Sequence, residues 1–408
     1  METNEHVASL PSPLRIGLVT PAWPGSKTAN GIATAVAHLA TGFEACGHEV
    51  TIIPFSIDAP HDFSRIANLP EQDWSLLDRL RARFGPDSDG VFHRKVGQQI
   101  AAAARDAISR HGVEILLMEE SQGWAAAVCR QIPIPVVVTL HGPWCLHKEI
   151  QGLGIARSDA RREARELRAL RLVQGITAPS RDVLNRTAAL WSLPDVPRAV
   201  IHNPMPVSPT MTNGDPERLL FVGRFDYHKG GDVVIEAFAE IARKHPTCRL
   251  TFVGPDRGVN RPGLARLSLP DALSRLPKAV RARIDVLGQC SREEVSALRG
   301  THGLTIVASR YENFGGTIVE AMAAGSALVC TNVGGGAEIL SHEETALLVP
   351  PEDPQALATA CLRILDDTDL ARRMGVAART YVEHHLSPEA IGRQVADFLT
   401  PLCRGSAA

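Results

Sequence analysis

Short apolar runs alternate with longer amphipathic stretches along most of the chain. Arg15 to Thr20, Val50 to Pro54, Glu114 to Met118 and Val136 to Leu140 are brief, apolar and bounded by turn residues, so they predict buried strands. Between them, Gly31 to Ala40, Lys95 to His111 and Gln122 to Gln131 read as helices. The stretch from Ile201 to Pro216 holds Pro204, Pro206, Pro209, Pro216 and Gly214 among few apolar residues, which suits a linker. From Arg218 the alternation restarts, with an apolar run Leu219 to Gly223 and an amphipathic stretch Asp232 to Lys244, and it ends near Val349. Alternation of this kind means parallel sheets with helices on both faces. The expected architecture is therefore α/β, with two Rossmann-like domains facing a central cleft, over residues 14–203 and 217–387 and joined by 204–216.

Two segments fall outside that pattern. Residues 56–90 are polar and irregular, and the expectation is an insertion near the rim of the cleft. At the other end, Ser387, Pro388 and Glu389 form an N-cap signature with proline at the first helical position. The helix after them runs to about Leu402 with Ile391, Val395, Phe398 and Leu399 as its apolar positions.

Composition narrows the function classes. A chain of 408 residues is long enough for two sizeable cores, and a formal charge of −2 argues against a protein built mainly to hold nucleic acid. The eight cysteines are scattered singly from Cys46 to Cys403 with no Cys-x-x-Cys pair, which is the usage of a reduced protein rather than a disulfide or zinc framework. Met1 to Pro13 has Glu2 and Glu5 and no apolar core, so no signal peptide is expected there. No apolar run approaches the roughly 20 residues that cross a bilayer. The expectation is a cytoplasmic protein, with peripheral contact to an anionic membrane as an option.

The chemistry concentrates in two places. Glu312 and Glu320 lie eight residues apart, separated by Phe314, Gly315, Gly316 and Thr317 and followed by the small-residue run Ala321 to Gly325. A helix starting near Gly316 would present free N–H groups and a dipole to an anion, with Glu312 ahead of that site and Glu320 about two turns inside. Such a cradle, bracketed by acceptors, suits a phosphate with hydroxylated sugars on either side. The second place is Arg224 to Gly231, where Arg224 and Lys229 follow the apolar run and precede a helix, at the end of a sheet where ligands bind in open α/β folds.

Together these segments resemble the retaining glycosyltransferases of the GT4 type, which have the GT-B architecture. Pro135 to Gly142, Ile176 to Ser180, Val200 to Pro204, Leu250 to Gly254, Val286 to Gly288 and Val333 to Gly335 extend the resemblance in the expected order over residues 14–400. It implies transfer of a sugar from a UDP- or GDP-sugar to a hydroxyl acceptor such as a glycan, glycolipid or small glycoside. By resemblance, Arg224 and Lys229 stabilise the departing diphosphate and Glu312 holds the donor sugar. His141 lies near the transferred sugar and completes the catalytic set. Gly31, Gly254, Phe314, Gly315, Gly316, Thr317 and Glu320 form the donor site, with Glu320 on the ribose and Gly31 approaching the diphosphate. No metal and no organic cofactor is expected, and the final helix is expected to return to the first domain.

The chain departs from the family in places. The usual glycine pair before the first helix is Asn30-Gly31, and Met118, Glu119, Glu120 and Ser121 stand where many relatives carry histidines. Glu119 or Glu120 could orient an acceptor or simply cap the next helix; Trp144, His147 and Lys148 are further acceptor-side candidates. Arg157, Arg161, Arg165 and Arg168 follow helical spacing as one basic stripe, which could meet an anionic membrane but is more often a solvated face. Asp87-Ser88-Asp89 and Asp367-Thr368-Asp369 imitate a metal-binding triplet in turn-like contexts, and Gly152 to Arg157 fails as a dinucleotide fingerprint. Two rival readings remain: a nucleotide-sugar epimerase, which would need further acid/base carboxylates in the cleft, and a non-catalytic nucleotide-sugar-binding subunit.

Overall fold

The chain folds around two six-stranded sheets in which every pairing is parallel. The computed structural model describes residues 13–24, 30–57, 63–72, 75–84, 88–151, 157–207, 211, 214–261, 263 and 265–405. The first sheet comprises β1 (Arg15–Thr20), β2 (Glu49–Pro54), β3 (Ile115–Glu119), β4 (Val136–Thr139), β5 (Gly175–Ala178) and β6 (Arg198–Val200), in the order β2-β1-β3-β4-β5-β6. The second comprises β7 (Asp215–Val222), β9 (Arg249–Val253), β11 (Ile284–Gly288), β12 (His302–Val307), β13 (Ala327–Thr331) and β14 (Leu347–Val349). Its order is β11-β9-β7-β12-β13-β14; two short strands, β8 (Phe225–Asp226) and β10 (Asp256–Gly258), pair beside it.

These orders locate the site before any side chain is considered. A parallel sheet opens a crevice at the carboxyl ends of the two strands where the winding reverses. In the second sheet that point lies between the neighbours β7 and β12. Arg224 and Lys229 follow β7 and Glu312 follows β12, so topology alone brings them together across 83 residues of chain. In the first sheet the reversal lies between β1 and β3, whose ends lead toward Gly31 and toward Glu120.

The central strands are buried on both faces because helices cover both, whereas the edge strands β6 and β11 are partly exposed. β3 is buried at all five residues. Phe221, Phe225, Phe238 and Phe252 anchor the core of the second sheet. The final helix, Pro388–Gly405, lies on the first helix, Gly31–Ala45, and glycines permit the crossing. A Cβ on Gly42 would stand 1.9 Å from the carbonyl oxygen of Pro388, and one on Gly392 would stand 2.6 Å from the backbone of Gly42. The chain thus ends against the sheet with which it began.

Several expected elements shift. The second strand system starts at Asp215, inside the expected linker, because Asp215 pairs with His302 and Gly303 lets the Pro216 backbone approach. The expected helix 122–131 shrinks to a tight turn Ser121–Gly123 and a short helix Ala125–Cys129. There Gln122 and Gly123 take φ of 57° and 72°, and a Cβ on Gly123 would meet the carbonyl of Arg165 at 2.4 Å. Residues 56–90 are not an irregular rim insertion in their described part. Leu76–Phe84 is a helix, Ile66 bridges to Ile52, and Phe63, Ser64 and Arg65 line a surface hollow with Glu44 and Glu49, away from the cleft. Met1 to Ser12, Asp87 and Gly152 to Ala156, on which expectations from the sequence fall, lie outside the described residues. No helix among the described residues is long and apolar enough to cross a membrane.

Candidate active site

A cleft of about 650 Å³ separates the carboxyl edges of the two sheets. From the first half it is lined by Gly31, Glu120, Ser121, His141 and Trp144, and from the second by Arg224, His228, Glu312, the 313–316 loop and Glu320. A second hollow of about 530 Å³ continues from it past Thr34, Arg292, Arg299, Thr317 and Glu320.

The second-half wall is a network of matched charges. Asp226 organises it: its carboxylate accepts Arg224 Nε at 2.6 Å and the backbone N–H of Lys229 at 2.8 Å, closing the loop after β7. Lys229 Nζ donates to Glu312 Oε1 at 2.5 Å, and the Ser309 hydroxyl donates to the same oxygen at 2.6 Å. Glu312 is 6% exposed. Burial pushes its carboxyl up, but Lys229, His228 and Ser309 outweigh that, and it stays below the usual carboxylate range. His228 faces the same cleft and is held low by burial and by the Lys229 cation. Arg310 braces the loop from behind: it donates to Asp232, bonds the Tyr227 carbonyl and stacks on the Tyr227 ring at 4.2 Å. Asp226, His228, Ser309 and Arg310 were not singled out in the sequence. Asp226 sits two residues past Arg224, a spacing that suits a turn-closing acceptor and could have marked it.

The glycine-led helix runs from Gly316 to Ala324. Gly315 caps it at φ 83°, where a Cβ would strike the Ile318 side chain at 2.6 Å, whereas a Cβ on Gly316 or on Gly31 would meet nothing within 4 Å. Both of the latter therefore face open cleft, and the helix start offers its unpaired N–H groups to it. Glu320 is the fifth helical residue, a little over one turn inside rather than two. Its carboxylate accepts Arg299 Nη2 at 2.8 Å, and Arg299 is almost fully buried. Phe314 is mainly a core residue, 4% exposed and stacked on the His202 ring at 5.4 Å, though it also lines the cleft. Thr317 lines the second hollow. Gly254 is not on the wall of either hollow. A Cβ there would stand 2.0 Å from the Gly223 carbonyl oxygen, so its bareness serves the approach of β9's end to β7's.

The first-half wall is built on buried carboxyls instead. Glu120 does not cap the following turn; its two oxygens accept the backbone N–H groups of His141 and Gly142, each at 2.9 Å. That pins the β4 end in place and sets where His141 stands. Burial and then the neighbouring Glu166 push Glu120 up to about 7. Glu119 turns away from the main cleft into a small cavity of about 50 Å³ beside Thr139, Thr177 and His141, and burial with Glu120 pushes it up to about 8. His141 is pushed down to about 4 by burial, so it stands neutral. Glu166, fully buried, was missed in the sequence: it accepts the N–H groups of Gln122 and Trp144 at 3.2 and 2.9 Å and Arg162 Nε at 2.7 Å. Arg162 stacks over Trp144 at 4.2 Å, and the Trp144 and His147 rings lie 5.2 Å apart. Lys148 belongs to the same helix, Trp144–Gln151, but its side chain lies outside the described residues. The expected basic stripe is not one outward face, because Arg165 reaches inward to Gln122 while Arg161 and Arg168 are exposed. No group of three or more His, Cys, Asp or Glu placed to hold a metal occurs among the described residues.

Known proteins share this arrangement. Residues 29–208 match the Glycosyltransferase Family 4 model and residues 209–381 the Glycosyl transferases group 1 model. A glycogen synthase of Mycobacterium tuberculosis is 34% identical over 40% of the chain, which spans only 37% of that relative's length. A phosphatidyl-myo-inositol mannosyltransferase of Mycolicibacterium smegmatis is 25% identical over 91% of this chain and 89% of its own. Among solved structures, sucrose-phosphate synthase from Thermosynechococcus elongatus superposes with a TM-score of 0.70 at 21% identity, covering 96% of this chain and 100% of that one. Anabaena HepE in complex with UDP and glucose superposes at 0.64 with 17% identity, covering 95% and 99%. With both halves matched in order and the GT-B architecture in place, the chain belongs to the GT4-type glycosyltransferases, the glycosyl transferases group 1 family.

Proposed function

We propose that the protein is a retaining glycosyltransferase that moves a sugar from a UDP- or GDP-sugar to a hydroxyl acceptor, using no metal and no organic cofactor. The observation that carries this reading is the Lys229–Glu312 pair at 2.5 Å, just ahead of the glycine-led helix, with Glu312 on the cleft wall. Structures of Anabaena HepE with UDP and glucose support a nucleotide sugar as donor.

In this reading the diphosphate lies between the Arg224 and Lys229 cations and the N–H groups at Gly315 and Gly316. Charge building on the departing phosphate is met by groups that are already in place, which is where electrostatic catalysis has most effect. Glu312, held ionised with one oxygen bound to Lys229 and Ser309, accepts hydroxyls of the donor sugar rather than attacking the anomeric carbon. Glu320, steadied by Arg299, accepts the ribose hydroxyls. The bond from the anomeric carbon to the phosphate oxygen breaks while a bond to the acceptor oxygen forms on the same face. The acceptor's proton passes to the departing phosphate. Neutral His141 approaches from the first half as a hydrogen-bond partner of the sugar, positioned by Glu120. Of the acceptor-side candidates, Trp144 and Glu120 line the cleft, while Glu119 faces the small cavity behind it.

Calorimetric titration of nucleoside diphosphates and their sugars against wild type and Lys229→Ala tests the reading. One nucleotide should bind in the micromolar range, and the substitution should weaken it at least tenfold, or about 1.4 kcal/mol. Activity with the cognate donor should survive EDTA. Failure of every nucleotide to bind, or no effect of the substitution, would overturn the proposal.

A further inference from the structure

The loop that carries Glu312 is held from the opposite half of the molecule. Glu338 lies in the short helical turn Gly335–Ile339 of the second half, yet its carboxylate accepts the backbone N–H groups of Arg181 and Asp182 at 2.8 and 2.7 Å. Those are the first two amides of the first-half helix Arg181–Leu190, so the cap of that helix comes partly from across the cleft. The helix's own cap residue, Ser180, accepts the third amide, from Val183, at 3.2 Å and donates its hydroxyl to the carbonyl of Asn313 at 2.7 Å. Tyr311 donates to Asp182 at 2.5 Å, and Arg186 covers the Tyr311 ring at 4.9 Å. Both neighbours of Glu312 are therefore tied to one turn of a first-half helix. Gly335 completes the junction: it donates to the Glu312 carbonyl at 2.8 Å, and a Cβ there would fall 2.1 Å from the Asn313 carbonyl and 2.2 Å from Ser180 Oγ.

We infer that Glu338 is a positioning residue, a cross-cleft cap that gives the 311–316 donor loop its working shape only while the two halves are closed. The inference rests on the donor site proposed above, but the coupling itself does not require a substrate. Opening the cleft would break the Glu338, Ser180 and Tyr311 bonds together. A loop held in this way recovers its shape, and Glu312 its place beside Lys229, only on closure.

Hydrogen exchange of the full chain without ligand, followed by donor kinetics, tests it. In Glu338→Ala, exchange at Arg181 and Asp182 should rise by about tenfold or more, as expected for losing bonds of this kind. The peptide spanning 311–316 should accelerate in parallel while β12 and β13 keep their protection. Glu338→Gln, which retains one acceptor oxygen, should fall between. Tyr311→Phe, which leaves the cap intact, should loosen 311–316 without exposing Arg181 and Asp182. With a cognate donor, kcat/KM should drop about tenfold in Glu338→Ala and recover partly in Glu338→Gln. Faster exchange confined to the Arg181–Leu190 helix, with 311–316 and donor kinetics unchanged in both Glu338 variants, would overturn the inference. If no nucleotide bound the wild type, the proposed function would fall, and the exchange result would still decide the coupling.

Discussion

The two walls of the cleft are both made from the carboxyl ends of parallel strands, yet they stand in opposite electrostatic states. On the second-half wall, Glu312 is buried but ionised, because Lys229, His228 and Ser309 surround it. On the first-half wall, Glu119 and Glu120 are equally buried, and burial, followed in each case by a neighbouring carboxyl, pushes them up to about 8 and about 7. Burial disfavours the charged form in every case, and the partner decides the outcome. In the proposed function, the second-half wall receives the diphosphate and its sugars. The other presents a neutral histidine, the engaged Glu120 carboxyl and an aromatic stack.

The largest effect should come from breaking the ionised pair. In Lys229→Ala, Glu312 is left buried without its cation, which typically costs about 3–5 kcal/mol of stability. If Lys229 acts as proposed, turnover should fall by about a hundredfold or more, since a preorganised charge at the leaving group is lost. Initial rates of nucleotide release and a melting curve on the same sample check both. Lys229→Ala at wild-type stability would mean that Glu312 takes up a proton at once, and that the two walls differ less than their partners suggest.

The next effect tests the neutral wall by pH. Folded, Glu119 holds its proton up to about 8, whereas unfolded it releases it near 4.5. Between those values the folded chain binds more protons, so stability falls as pH rises. The histidines with resolved shifts, His141 among them, are lowered from 6.5, and they raise stability as pH climbs toward 6.5. Above 6.5 that opposing trend is spent. From pH 6.5 to 8 the wild type should lose about 2 kcal/mol through Glu119, and Glu119→Gln should flatten the slope. Denaturant melts at three pH values measure this; parallel slopes in the two proteins would show that Glu119 is ionised throughout.

The same contrast explains what could be read from the sequence. Two parallel sheets follow from alternation, and the second-half wall from residue types whose chemistry is local: a basic loop after an apolar run, and two glycines before a helix. Asp226 and Gly315 act within a few residues of what they organise. The first-half wall depends on residues far apart in the chain. Glu120 reaches His141 and Glu166 reaches Trp144, each over more than 20 positions, and no spacing rule connects them. Glu338 to Arg181 is longer still. The basic stripe misled for a related reason: helical spacing shows which residues share a face, but the inward turn of Arg165 depends on a neighbouring element. Gly254 matched a family position, and only the 2.0 Å approach to Gly223 shows what its bareness is for.

Arg224 offers a gentler probe of the charged wall. It is 46% exposed, and its Nε is engaged by Asp226. Solvent screens it more than Lys229, so Arg224→Ala should weaken nucleoside diphosphate binding by about 1.5–2 kcal/mol with little change in stability. Because the lost term is an exposed charge, the difference from wild type should shrink when calorimetry is repeated in high salt. A salt-independent difference would place Arg224 in a dry contact instead.

The smallest effect should separate the nucleoside from the diphosphate. Glu320 is 44% exposed, and its partner Arg299 is 5% exposed at the side chain, so the carboxylate is held in one orientation from its buried side. In the proposed complex that carboxylate accepts ribose hydroxyls in a partly wet setting, a contribution of about 1 kcal/mol. Glu320→Ala should therefore raise KM for the nucleotide sugar a few-fold while leaving kcat near wild type, because the contact is alike in the ground and transition states. The control is pyrophosphate, which has no ribose and should inhibit both proteins equally. If pyrophosphate also bound more weakly to the variant, Arg299, released from its partner, would be disturbing the helix start, and Glu320 would act on the phosphate cradle rather than on the sugar.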